Sequence, residues 1–314
     1  MNLQYPLADI IPTQPVDTIF HELMQLPYRE RRAHVRKGFP AGTPRFLYKY
    51  RALHRSVSGT GAEPAFTEKS ITPLQEIIVD CRLRLSSPAW FNDPFDMTAN
   101  LVTEGSLEER RSRFRHIVRD MAPKEWNFKQ REATVQKLMS APENAILEHV
   151  IESFGKHAAA FGVTCFAADR PRDVLMWSHY GGEHAGVCLQ FEYARDIQTL
   201  GRALHVEYND EYPVVNWVKN FEESIAKCLL RKHTCWRYEN EVRISHANQA
   251  GKFLELRPDA LTGIILGCKA DAGVRALLDQ LLSERRSHGL PEVKLYRAHK
   301  NRTRYEIDIR LERE

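Results

Sequence analysis

The 314-residue chain reads as an α+β protein, with mixed, mainly antiparallel sheets and an inserted three-helix lobe. Three observations lead there. Short β-rich runs recur from residue 46 to the C-terminus, few of them are joined as β-α-β units, and one block of amphipathic helix interrupts them at about residues 105–158. Apolar residues make up 43% of the chain, which is near the globular average and enough for a sizeable core.

Residues 1–45, rich in proline and charge, read as an N-terminal extension with a short amphipathic helix over 18–26. Residues 46–314 read as a single domain. Strand 46–50 opens it, 59–64 is a loop, and Leu74, Ile77 and Ile78 stand at helical spacing behind Thr72 and Pro73, the proline suiting a first turn. Strand 82–85 follows, and then Ser87 to Asp96, an aromatic, Asx-rich turn. In the lobe, Ser106 and Glu109 form a capping box, and further helices fit 125–139 and 145–154. Strands return at 161–167, 187–193, 204–208, 238–245, 252–256, 263–266, 293–297 and 305–311, and helices fit 216–232 and 272–286.

Composition excludes several classes. There is no signal peptide and no apolar run of membrane-spanning length, so the expectation is a cytoplasmic protein without a membrane partner. The six cysteines are scattered without a CxxC pair, and neither GxGxxG nor GxxxxGK[ST] occurs. His179 and His184 are not spaced as in HExxH, so no metal is expected. A net charge of +4 is only mildly basic, though arginine clusters at 29–37, 110–119 and 297–304 are suited to phosphate contact. Oligomeric state is not legible.

Two stretches carry candidate chemistry. In Trp236-Arg-Tyr-Glu-Asn-Glu-Val-Arg243, strand alternation sends Trp236, Tyr238 and Val242 to one face and Arg237, Glu239, Glu241 and Arg243 to the other. Paired carboxylates of this kind suit a site where one grips a sugar hydroxyl and the other orients an attacking group; the plain alternative is a pair of ion pairs, Glu239–Arg237 and Glu241–Arg243. The second stretch runs from Asp169 to Gly186. Asp169 caps a short helix that Gly181 ends, delivering Trp177, Ser178, His179 and Tyr180 to a glycine-rich turn suited to a flat ring and an anion; here the plain alternative is core packing.

The motifs Leu47-Tyr-Lys-Tyr-Arg51, Phe91-Asn-Asp-Pro-Phe-Asp96, Met176-Trp-Ser-His-Tyr180 and Trp236 to Arg243, in that order, resemble a widespread bacterial family known only as a domain of unknown function, often found near defence and mobile genes. The order of elements, ending in a late strand with Glu239-Asn-Glu241, also resembles the ADP-ribosyltransferase fold, in particular its DNA-targeting toxin branch. That resemblance implies NAD as substrate and a nucleic acid or protein acceptor. It gives Glu241 the grip on the nicotinamide ribose and Glu239 the acceptor. Lys49 and Arg51, beside Tyr48 and Tyr50 on the first strand, would neutralise the pyrophosphate, and Trp177 or Tyr180 would stack on a ring. Two departures stand out: the first strand lacks a plain Arg or His motif, and Thr164 occupies the middle strand where S-x-S is usual. Two other classes fit the same residues: a nuclease-like toxin with His179 and a glutamate as acid and base, and a noncatalytic nucleotide-sensing module.

Overall fold

A computed structural model describes residues 14–37, 43–56, 65–219 and 221–312. The loop expected at 59–64 and the start of the extension lie outside these. The architecture is α+β, and the main sheet is mixed and mostly antiparallel, as the strand pattern predicts.

Eight strands build that sheet: β1 (Phe46–Arg51), β2 (Gly162–Ala168), β3 (Val187–Glu192), β4 (Leu204–His205), β5 (Glu241–His246), β6 (Leu261–Leu266), β7 (Lys294–Lys300) and β8 (Ile307–Leu311). Their spatial order is β8-β7-β6-β3-β1-β2-β5-β4, and only β6 and β7 run parallel. The nine labelled helices are α1 (Gln14–Gln25), α2 (Tyr28–Arg36), α3 (Glu68–Ile78), α4 (Leu107–Met121), α5 (Phe128–Met139), α6 (Glu143–Ala160), α7 (Val174–His179), α8 (Phe221–Leu229) and α9 (Ala272–Ser287). Among the described residues no helix is long and apolar enough to cross a membrane.

One face of the sheet holds the main core, where Leu47, Phe166, Leu189, Val242, Ile244 and Ile264 meet Leu74, Ile77 and Ile78 of α3 and Leu278 and Leu281 of α9. These side chains are almost wholly removed from water, which drives the layer together at about 25 cal/mol per Å² of apolar surface. A second core joins the lobe, through Phe114, Val135, Val150 and Phe154, to Trp217 and Phe221. The Ser106–Glu109 capping box forms, and Asn127 and Gln130 make another at α5.

Several local expectations are corrected. Pro73 lies inside α3, which already starts at Glu68. Residues 216–232 are not one helix: Val214–Asn216 is a strand, α8 ends at Leu229, and Arg231–Lys232 pairs in parallel with Glu207–Tyr208. The cap of α7 is Asp173, whose carboxylate accepts from the Leu175 and Met176 amides. Asp169 instead has φ +49° and accepts from the Arg45 and Phe46 amides. The positive φ falls on Gly182, Glu183 and His184, not on Gly181. α2, which the arginine cluster at 29–37 concealed, docks on β3 by Tyr28 Oη donating to Glu192 at 2.8 Å.

The main sheet is irregular between β1 and β2. β1 pairs with β3 along all six residues but with β2 only at Leu47–Ala168 and Tyr48–Ala167. β2 stays with β5 over six residue pairs. Beyond Tyr48 the sheet therefore forks.

Candidate active site

A pocket of about 180 Å³ occupies the fork. Tyr48, Lys49, Tyr50 and Arg51 line it from β1, and Cys165, Phe166 and Ala167 from β2. Glu241 and Arg243 line it from β5, Met176 and Tyr180 from the α7 end, and Phe91, Asn92 and Asp96 from the aromatic turn. Lys232 and Glu239 complete it. All four motifs singled out in the sequence thus contribute to one cavity.

The stretch 236–243 reaches the pocket by a route the alternation pattern does not give. Thr234–Glu239 is a 3₁₀ helix, Asn240 turns through φ +43°, and the strand begins only at Glu241. Asparagine tolerates this left-handed conformation, and its side-chain amide donates to Ala168 O at 2.7 Å, fixing the turn to β2. The turn places Glu239 and Glu241 on one ammonium: Lys232 Nζ donates to Glu239 Oε2 at 2.5 Å and to Glu241 Oε2 at 3.1 Å. Arg243 Nε and Nη2 donate to Glu241 at 2.8 and 3.0 Å, and its Nη1 and Nη2 donate to Asp96 at 2.9 and 2.6 Å. The Glu241–Arg243 pair is real and buried, whereas Glu239 pairs with Lys232 and not with Arg237.

Three carboxylates, Asp96, Glu239 and Glu241, therefore face two cations, Lys232 and Arg243, all five nearly excluded from water. One charge is in excess. Burial, with the Glu241 charge added and Lys232 opposing, pushes Glu239 up to about 7. Glu241 is held well below the ordinary carboxylate range because Arg243 and Lys232 outweigh its own burial. Tyr180 Oη donates to Glu239 Oε1 at 2.6 Å, and Tyr208 Oη accepts the Glu241 amide at 2.8 Å.

The opposite arm of the fork is cationic. Lys49 Nζ crosses the gap to Thr164 Oγ1 and Cys165 O, both at 2.9 Å, taking up a carbonyl that the fork leaves without a strand partner. Burial first, and then the Arg51 charge, lower Lys49 to about 7. The Arg51 side chain makes no hydrogen bond or ion pair with any described residue; its Nε is buried without a partner, and burial lowers its pKa against the pull of the Glu76 charge.

The remaining expected site residues fall outside the cavity. Trp177 is fully buried, donates to Pro171 O and packs edge-on against Tyr50, so it is core and presents no stacking face. Ser178 Oγ lies 3.1 Å from His184 Nε2, and Thr164 serves as the Lys49 acceptor. His179 is an exposed rim residue whose Nδ1 lies 2.7 Å from Tyr238 Oη. A Cys165 nucleophile is disfavoured because burial, reinforced by Glu241, pushes its thiol pKa far up.

Lys232, at the centre of the cluster, is the residue that sequence reasoning missed, because helical periodicity extends over it. A signal was present: a buried carboxylate pair needs cations, and Arg243 alone does not balance it.

Over this region the likeness to a domain family of unknown function is borne out. The family model described as "Protein of unknown function (DUF2971)" matches residues 176–244, the stretch that holds Tyr180, Lys232, Glu239, Glu241 and Arg243. No curated protein and no solved structure matches the chain.

Proposed function

We propose that the fork pocket cleaves the N-glycosidic bond of NAD and passes the ADP-ribosyl group to a nucleic acid or protein acceptor, as a toxin or defence effector does. The observation that carries this reading is the unequal holding of two adjacent carboxylates, Glu241 by Lys232 and Arg243 together and Glu239 by Lys232 and the Tyr180 hydroxyl, across the fork from Lys49 and Arg51, which form no ion pair with a described residue.

Breaking the C1′–N bond sends its electron pair to the nicotinamide nitrogen and leaves an oxocarbenium-like ribose. Glu241 supplies the fixed negative charge beside it. Its oxygens accept three N–H bonds and the Cys165 thiol, so a ribose hydroxyl would take the place of the weak S–H donor. Glu239, ionised, takes the proton of the acceptor as the acceptor's lone pair forms the new bond to C1′. Arg51 and Lys49 meet the pyrophosphate, and Tyr180 holds Glu239 in place. A volume of about 180 Å³ suits one ring and its sugar, below the 300–1,000 Å³ typical of whole-ligand sites, so the adenosine half extends out of the opening.

The test is incubation with NAD and with DNA, RNA or protein acceptors, following nicotinamide release and the mass gain of one ADP-ribosyl unit. Wild type is expected to turn over and Glu241→Gln to lose turnover while keeping its fold. Full turnover by Glu241→Gln would remove Glu241 from the mechanism, and NAD left intact by wild type with every acceptor would overturn the reading.

A further inference from the structure

A second cavity, of about 670 Å³, lies against the other end of α7 and shares Tyr48 with the fork pocket. Arg170 and Arg172 line it, with Val174, Leu175 and Tyr305. From its sequence, Asp-Arg-Pro-Arg-Asp, the 169–173 loop is close to neutral in charge, and the fold makes it directional. Asp169 and Asp173 also line the groove, but their carboxylates are engaged by backbone donors, Asp169 by the Arg45 and Phe46 amides and Asp173 by the Leu175 and Met176 amides. Arg170 and Arg172 are exposed and form no ion pair with any described residue. Glu306, the third acid of the groove, lies 3.8 Å from Arg304.

The loop is also held in place. Tyr50 Oη donates to Arg170 O at 2.5 Å and Trp177 Nε1 to Pro171 O at 2.9 Å, tying it to β1 and α7. Opposite stands Tyr305, whose side chain is completely exposed, on the turn between β7 and β8 that also carries Arg302 and Arg304. An exposed tyrosine ring can take a stacking partner, and two guanidiniums outside any ion pair can take anions. Single-stranded nucleic acid offers both at short regular intervals.

We infer that this groove binds a single strand of nucleic acid, its phosphates on Arg170 and Arg172 and a base on Tyr305. The six residues of α7 span about 9 Å. A strand in the groove therefore lies within a nucleotide or two of Tyr48 and the fork. Binding does not depend on the glycosidic reading; if that reading holds, the strand is its acceptor.

The experiment is fluorescence anisotropy with labelled oligo-dT and oligo-U, without NAD, across a salt series. Wild type is expected to bind at least one of the two. In the double variant Arg170→Ala/Arg172→Ala the slope of log affinity against log salt should fall by about 1.4, two contacts at roughly 0.7 each. Tyr305→Ala should weaken binding about fivefold to a hundredfold with the salt slope unchanged. Arg170→Lys/Arg172→Lys should retain the slope. All these positions are exposed, and unchanged thermal unfolding verifies the fold. An unchanged slope in the double alanine variant overturns the inference, as does equal binding of poly-glutamate, which would assign the groove to an acidic protein. Because the readout contains no NAD, its failure leaves the fork chemistry standing, and failure of NAD cleavage leaves the groove standing.

Discussion

The two arms of the fork carry opposite kinds of charge balance. On the β5 arm every charged group has a partner at 2.5–3.1 Å, and a network runs from Asp96 through Arg243, Glu241 and Lys232 to Glu239. On the β1 arm, Lys49 holds only a hydroxyl and a carbonyl, and the Arg51 guanidinium makes no hydrogen bond or ion pair with a described residue, feeling Glu76 only through space. The first arm is complete as it stands; the second has cationic donors left over. An unpartnered Nε also occurs at Arg31, Arg82 and Arg231, so what sets the β1 arm apart is that Lys49 and Arg51 stand side by side on the wall of the pocket.

The largest test of the comparison removes the keystone of the satisfied arm. Arg243→Met leaves Asp96 and Glu241 buried without their guanidinium and should cost about 3–5 kcal/mol of stability, read from denaturant midpoints. A loss below about 1 kcal/mol would show that the network is not the buried unit described.

Next in size is the pH response of Glu239. A carboxyl raised in the folded state contributes stability that is fully present below its unfolded pKa and is lost as pH rises through the folded value, here about 7. Raising pH from 5 to 8 should therefore make Glu239→Gln more stable relative to wild type by about 1–3 kcal/mol. Glu241 has the opposite sign: its contribution is present at neutral pH and is lost as pH falls below the carboxylate range. In the same range, ADP-ribosyl transfer by wild type should rise with pH as Glu239 ionises, and a transfer rate flat between about pH 5 and 8 would deny it the role of base.

The smallest stability effect is expected on the open arm. Arg51→Met removes a guanidinium outside any ion pair and leaves Glu76 bound to Arg84, so unfolding free energy should stay within about 1 kcal/mol of wild type. Affinity for NAD should nonetheless fall about tenfold to a hundredfold, the loss of a charge-assisted hydrogen bond, as measured by titration. A large loss of stability with affinity preserved would make Arg51 a structural residue.

Much of the fold was legible because it rests on local pattern. The buried strands Leu47 to Tyr50 and Val187 to Phe191, the amphipathic α9 and the Ser106–Glu109 box depend on side chains close in sequence. What was not legible depends on partners far along the chain. Lys232 reads as the end of a helix until its pairing with Glu207–Tyr208 pulls it into a strand beside both glutamates. Trp177 reads equally as a stacking ring or as core, and only Tyr50, more than a hundred residues earlier, decides for core by packing edge-on against it. The closeness of Glu239 and Glu241 was expected for an incomplete reason, since a turn at Asn240, not strand alternation, brings the two acids to one ammonium.

The odd number of carboxylates in the cluster couples ligand binding to proton exchange with solvent. An anion docking on Arg51 and Lys49 raises the proton affinity of Glu239 and of Lys49, so near neutral pH it should arrive with the uptake of a fraction of a proton. Calorimetric titration in buffers of different ionisation enthalpy would then give binding heats that vary linearly with the buffer, and the slope counts the protons taken up. In Glu239→Gln the slope should shrink to the Lys49 share, which makes the excess carboxylate observable through heat rather than through catalysis or stability.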